Sequence, residues 1–240
     1  MLIKKFNVLM IQRAECYSPN SVTKDKAILD TTGEGFRRMG MEVEYMKEEK
    51  LADMDELNFH SFQAVVHMCR SRYALQLLQK ASCPVVNAPM AVTICNSRVA
   101  IDNLMRKNGV ACAPVTGEEG YWVKSDTGHN VMFAQTREEA LVLSNRMKTA
   151  VVTAHVRGEN IKFYGVGQRF FHPDGYSLLC QEALKLANLT GAEVWGGDAI
   201  VRPDGSVAIV DFNDWPSFST CLNKAADAIV RHVLEKTGGL

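Results

Sequence analysis

Short apolar runs alternate along the chain with stretches whose apolar residues recur every three to four positions. FNVLMIQ (6–12) reads as a buried strand. KAILDTTGEGFRRMG (26–40) carries helical spacing and stops on Gly40. Between them RAECYSPNSVTKDK (13–26) reads as a polar connection around the turn residues 18–21. MEVEYM (41–46) alternates like a strand, FQAVVHM (62–68) is a second strand, and SRYALQLLQKA (71–81) a helix. PVVNAP (84–89) is a short strand closed by proline. Strand, helix, strand, twice over, is the pattern of a small parallel sheet with covering helices.

The second half reads differently. AVTICNSRVAIDNLMRKNG (91–109) predicts one helix stopping on Gly109. VACAPVTGEEGYWVKSD (110–126), with a proline and two glycines, reads as a boundary. YWVK (121–124), VMFAQ (131–135), AVVTAHV (150–156) and IKFYGVG (161–167) follow as strands of a mostly antiparallel unit. A helix over 136–148 interrupts them, with Thr136 and Glu139 as a capping box. SLLCQEALKLANLTG (177–191) is a helix, AIV and VAIV around RPDGS (202–206) a hairpin, and 221–239 the last helix. A ligand between the middle and last units fits the usual location of binding clefts.

Composition narrows the classes. The chain has 240 residues, 47% of them hydrophobic, enough for a full core. Lys plus Arg and Asp plus Glu both total 27, which argues against a nucleic-acid binder held by a basic surface. No stretch approaches the roughly 20 apolar residues of a membrane span. The seven cysteines are odd in number, widely spaced and lack CxxC. A disulfide framework and a structural zinc site are therefore not expected, and a reducing cytoplasm fits.

The hairpin carries the sharpest chemistry. Asp198 precedes its first apolar run, and Asp211 and Asn213 close the second. Residues two apart on a strand share a face. Pairing through the RPDGS turn places Asp198 opposite the Asp211 end. Three hard oxygen donors then converge, a set that suits magnesium and not zinc, which prefers His or Cys. The same residue types also suit an ordinary strand end.

Taken in order, these pieces resemble the ATP-grasp superfamily. The carriers are G-x-D, a turn and an apolar strand running into acid-x-Asn with Pro216 soon after. Around them stand VVNAPMAVTICNSRVAIDNLMRKNGVACAPV as a linker helix, YWVK, and AVVTAHVRGENIKFYGVG as a hinge strand with its antiparallel partner. The resemblance implies an α/β ATP-grasp fold: an N-terminal parallel α/β (pre-ATP-grasp) domain over 1–89 and an ATP-grasp domain over 90–240. The latter divides into a small antiparallel lid subdomain at about 114–167 and a C-terminal subdomain at about 168–240. It implies ATP and Mg2+ as cofactors, with Asp198, Asp211 and Asn213 on the metal. Lys124 and Lys162 become phosphate ligands with catalytic roles, and Arg169 a third cation on the transferring phosphoryl group. Arg98 stands where the ligases usually have a lysine. His129, in the short loop SDTGHN, is a candidate phosphate donor. Thr153, Ala154 and Val156 would form the adenine hinge, and Asn160 sits where a ribose-binding acid is common. After Asn213 the ligases often continue with proline and glycine; Ser217 replaces that glycine here.

The N-terminal loops should bring the acceptor. They offer Arg13, Ser18, Ser21, Thr23 and Lys24 after the first strand, and Arg70, Ser71 and Arg72 at a helix start, where an anion is favoured. The expected activity is ATP- and magnesium-dependent joining of a small carboxylate to an amine through an acylphosphate. A phosphate-bearing acceptor also fits these loops. An inositol phosphate kinase-like activity and a non-catalytic nucleotide-binding relic stay open beside it. The superfamily's enzymes are often dimers, so a homodimer is compatible with the resemblance, and the sequence leaves the oligomeric state open.

Overall fold

The computed structural model describes residues 6–18, 20–52, 59–128, 130–171 and 176–238. Four parallel strands form the first sheet: β1 (Asn7–Gln12), β2 (Glu42–Lys47), β3 (Ala64–His67) and β4 (Val85–Val86), in the order β2-β1-β3-β4. β3 is buried throughout and β1 at its four central residues, which is why both read as continuous apolar runs rather than alternations. From β1 the chain winds to one side and then returns to the other. The C-terminal ends of β1 and β3 therefore flank the point where such sheets open a crevice.

Helix α1 (Val22–Arg38) begins a turn earlier than the apolar spacing predicts. Residues 22–25, which read as a polar connection, are its first turn. Asp25 is buried there, facing Arg13 rather than solvent. A short helix α2 (Glu48–Ala52) follows β2, and α3 (Arg72–Leu78) follows β3, capped by Ser71, whose hydroxyl accepts from the Ala74 N–H. The predicted helix over 91–109 is two: α4 (Pro89–Cys95) and α5 (Arg98–Lys107). The break is a second N-cap. Ser97 turns out of helical geometry and its hydroxyl accepts from Ala100 N–H.

A small antiparallel sheet runs β6-β5-β7 from β5 (Tyr121–Ser125), β6 (Val131–Ala134) and β7 (Ala150–Ala154), with α6 (Arg137–Asn145) against it. Tyr121 and Val123 pack with Ala140 of the helix, so Trp122 and Lys124 project from the opposite face. The last sheet is β11-β10-β8-β9: β8 (Glu159–Val166), β9 (Arg169–Phe171), β10 (Val194–Val201) and β11 (Val207–Asp214). Here the sequence reading is corrected. β8 does not pair with β7; it lies between β10 and β9. Its second half is buried on both faces, a central-strand requirement that a lid hairpin would not meet. β10 also starts four residues before Asp198, so that residue is mid-strand.

Helices α7 (Ser177–Thr190) and α8 (Leu222–Thr237) complete the chain. α8 packs on α1, and one apolar cluster runs from Val8 and Phe36 to Tyr164, Val194 and Ile229. The first and last sheets therefore share a core. Asn87 joins them further: buried, it accepts from Glu193 and Val194 N–H (2.8 and 2.6 Å) and donates to Val194 O (2.8 Å), as a strand would. No described helix is long and apolar enough to cross a membrane.

Candidate active site

The antiparallel register sets a row of side chains across three strands. Lys162 of β8 lies opposite Asp198 of β10, which lies opposite Asp211 of β11. Facing residues share a side of the sheet. Lys162 Nζ donates to Asp198 Oδ1 at 3.1 Å, and that bond holds the lysine above its ordinary pKa. Asn213 Nδ2 donates to Asp211 Oδ2 at 2.6 Å, so both lie on that side, as strand alternation predicts. The register shifts just past Asp198, with Ala199 opposite Ile209, a bulge that re-aims the strand beside the row. Gly197 permits the close approach: a Cβ there would stand 2.0 Å from Asp211 O.

Two clefts meet at this row. The first, about 340 Å3, lies between the small sheet and the last one. Trp122, Val131, Val156 and Ile200 give it apolar walls, and Arg98, Lys124, Asn160, Asp198 and Asp211 its polar groups. The second, about 250 Å3, lies between the last sheet and the C-terminal ends of β1 and β3. Lys162 and Asn213 line it together with Asp198, the residue common to both clefts.

Lys124 is largely buried. Burial lowers its pKa, while neighbouring Asp211 pulls it back up. Its Nζ donates to Val210 O at 2.6 Å. Arg98, first residue of α5, donates to Ser125 O (2.8 Å) and Gly128 O (2.7 Å), and its Nε lies 3.9 Å from Asp211 Oδ1. Asp126, which sequence reasoning missed, ties the same loop down. Its carboxylate accepts from Ser97 Oγ (2.7 Å) and Val99 N–H (3.0 Å) at the α5 start. His129 lies outside the described residues.

Thr153, Ala154, Val156 and Asn160 all border the first cleft. The Ala154 N–H is already committed, donating to Pro114 O at 2.7 Å, so Ala154 cannot offer that donor to a base. Arg169 is not brought to the row. It sits at the far end of the β8–β9 pair, beside Val166, and its Nη2 reaches Glu235 of α8 at 3.1 Å. Strand alternation gives a face but not a distance along it, which is why the sequence could not exclude Arg169.

Of the N-terminal candidates, Arg13, Ser21, Lys24 and Arg70 reach the second cleft. Ser18 accepts from Arg13 Nη1 at 2.7 Å. Ser71 caps α3, and Arg72 and Thr23 are exposed. Asp25, Tyr164 and Asp214 also line the cleft and were not singled out from sequence. Arg70 Nη1 lies 2.5 Å from the fully buried Asp214 Oδ1. The Glu48 carboxylate accepts from Ala14, Arg70 and Ser71 N–H groups (3.0, 2.8 and 2.6 Å), fixing both loops. Trp215 also borders the second cleft while most of its side chain is buried in the core.

No protein-family model matches the chain, and no curated protein sequence does. Solved structures do. A D-alanine–D-alanine ligase from Bacillus anthracis superposes with TM-score 0.72 over 97% of each chain at 10% identity. The macrocyclase MdnC of Microcystis aeruginosa, bound to its precursor peptide MdnA, gives 0.72 over 96% of this chain and 100% of that one at 12% identity. The chain has the ATP-grasp fold. A RimK domain ATP-grasp protein from Sphaerobacter thermophilus adds TM-score 0.65 at 17% identity, over 95% and 99% of the two chains. Within the ATP-grasp fold, the Lys162–Asp198–Asp211 row lies on the last sheet, with the first cleft on its small-sheet side and the second on the side of the first sheet.

Among the described residues no group of three His, Cys, Asp or Glu could hold a metal. The set Asp198, Asp211 and Asn213 offers two carboxylates and one amide oxygen. That fits a hard cation which takes few protein ligands and completes its shell with phosphate and water oxygens.

Proposed function

We propose that this chain is an ATP- and magnesium-dependent ligase that activates a small carboxylate as its acylphosphate and passes it to an amine. The observation that carries this is Asp198, which lines both clefts and stands between Lys162 and Asp211. Structures with the same fold include the Bacillus anthracis ligase complexed with ATP, and PsnB complexed with Mg and ADP. Here Asp198, Asp211 and Asn213 would hold magnesium, which, when bound, neutralises charge on the terminal phosphates. The first cleft would take the nucleotide, its base against Val156 and Ile200 and its ribose near Asn160.

The chain's own part is positioning and electrostatics. Lys124 stands in a partly desolvated wall, where a cation stabilises a transferring phosphoryl group more than it would in water. Arg98 holds the 125–128 loop beside it. Lys162 stands between the nucleotide and acceptor sides, placed to meet the incoming carboxylate. A carboxylate oxygen attacks the terminal phosphorus as the bond to ADP breaks. The amine nitrogen then attacks the acyl carbon, phosphate leaves, and the nitrogen loses a proton.

The test is product analysis with pooled small acids and amines. A ligase releases ADP and free phosphate only when acid and amine are both present. ADP formed with a phosphoester and one acceptor identifies a kinase. ATP bound with no turnover on any pool identifies a nucleotide-binding relic.

A further inference from the structure

Resting on that ligase reading, we propose that the acceptor acid carries a second anionic group, a carboxylate or a phosphate, clamped between Arg13 and Arg70 at the inner end of the second cleft. Both arginines come from the loops that follow β1 and β3 and meet where the two strands end. Their acidic partners lie behind them. The Asp214 and Asp25 side chains border the same cleft but are only 0% and 6% exposed, and each pairs with one of the guanidinium groups. Lys24 and Lys162 are the exposed cations on this side, Arg13 and Arg70 form the wall, and the partly exposed carboxylate there, Asp198, is paired with Lys162.

Arg13 donates from Nη1 to Ser18 Oγ (2.7 Å) and from Nη2 to Trp215 O (3.4 Å), which leaves Nε as its atom without a hydrogen bond. Its side chain is 9% exposed, and its Nε lies 3.5 Å from Asp25 Oδ2 with no hydrogen bond among the described residues. Burial, followed by the neighbouring Arg70, disfavours its charge and outweighs the support from Asp25, Asp214 and Glu48. An anion between the two guanidinium groups relieves that repulsion and accepts from the Nη hydrogens left beside the bonds to Ser18, Trp215, Asn96 and Asp214. The start of α1 adds to this. Its N-cap residue Ser21 lines the cleft, and its hydroxyl makes no capping hydrogen bond to the helix. The free N–H groups of that first turn therefore favour negative charge on the same side. At the other end, beside Lys162, Asp198 and Asn213, the reacting carboxylate belongs. One anion at each end makes the substrate a dianion.

The test measures binding of succinate, phosphoglycolate and acetate to the full chain by calorimetry, in the wild type, Lys24→Ala and Arg70→Lys, with ATP and magnesium titrated separately. The exposed Lys24 carries the result if Arg70→Lys fails to fold. Succinate or phosphoglycolate should bind at least about tenfold more tightly than acetate, and Lys24→Ala should weaken that binding about threefold or more without changing ATP affinity. Whichever of the two dianions binds more tightly identifies the second anion as carboxylate or phosphate. Equal binding of acetate, or dianion binding unchanged in Lys24→Ala and in any folded Arg70→Lys, overturns the clamp. If ATP fails to bind while dianion binding still depends on Lys24, the clamp stands and the ligase reading falls. If ATP binds and only monocarboxylates turn over, the ligase reading stands and the clamp falls.

Discussion

Replacing His67 with glutamine should flatten the acid side of the protein's stability profile. His67 ends β3, three residues before Arg70, and is fully buried. Its Nδ1 accepts from the Cys69 N–H (3.2 Å), so the proton sits on Nε2, which donates to Asn87 O (2.7 Å). A second proton on Nδ1 would break the first bond and place a charge in the core. Burial is the main cause of a pKa lowered from 6.5 to about 4. The unfolded chain therefore binds this proton first. The stabilisation from a neutral His67 is complete above pH 6.5 and is lost as pH falls towards 4. Between pH 7.5 and 5 the linkage amounts to about 2 kcal/mol. Glutamine can donate and accept in the same places but does not titrate. Urea denaturation of both proteins at the two pH values should show the wild type losing about 2 kcal/mol more than His67→Gln. Equal losses would refute the assignment of a buried, neutral imidazole.

Other outcomes follow from the same geometry. Glu193 is partly buried, which alone would raise its pKa, but hydrogen bonds from His232 and Lys236 outweigh burial and hold it below its ordinary 4.5. Its stabilisation is full above pH 4.5 and lost below, so thermal melts from pH 5 to 3 should fall more steeply for wild type than for Glu193→Gln. Gly197→Ala drives a methyl into Asp211 O and should cost at least about 2 kcal/mol in chemical denaturation, with loss of nucleotide binding. Lys124→Met should leave the fold intact and weaken ATP binding about tenfold or more by calorimetry. Arg169→Ala should leave ATP affinity unchanged, because its partner is Glu235, away from both clefts.

The central row was legible because strand chemistry is periodic. A two-residue spacing and a turn signal were enough to bring Asp198 opposite Asp211. The pairing of β8 was not legible. Sequence neighbours suggest a β7–β8 hairpin, whereas burial on both faces places β8 in the centre of a different sheet. Asp25 was hidden for a related reason. A charged residue in a polar stretch reads as a loop, and only the partner Arg13, twelve positions earlier, explains its burial. Asp214 follows the acid-x-Asn motif directly, and its role appears only once Arg70 arrives from the first sheet. That the Ala154 N–H is bonded to Pro114 O was not legible either, because the partner lies 40 positions earlier in the chain.

Calorimetric titration of ATP with and without magnesium, in the wild type and in Asp211→Ala, tests the cation row most directly. Magnesium should tighten ATP binding at least about tenfold in the wild type and have little effect in a folded Asp211→Ala protein. An equal magnesium effect in both proteins would contradict the account.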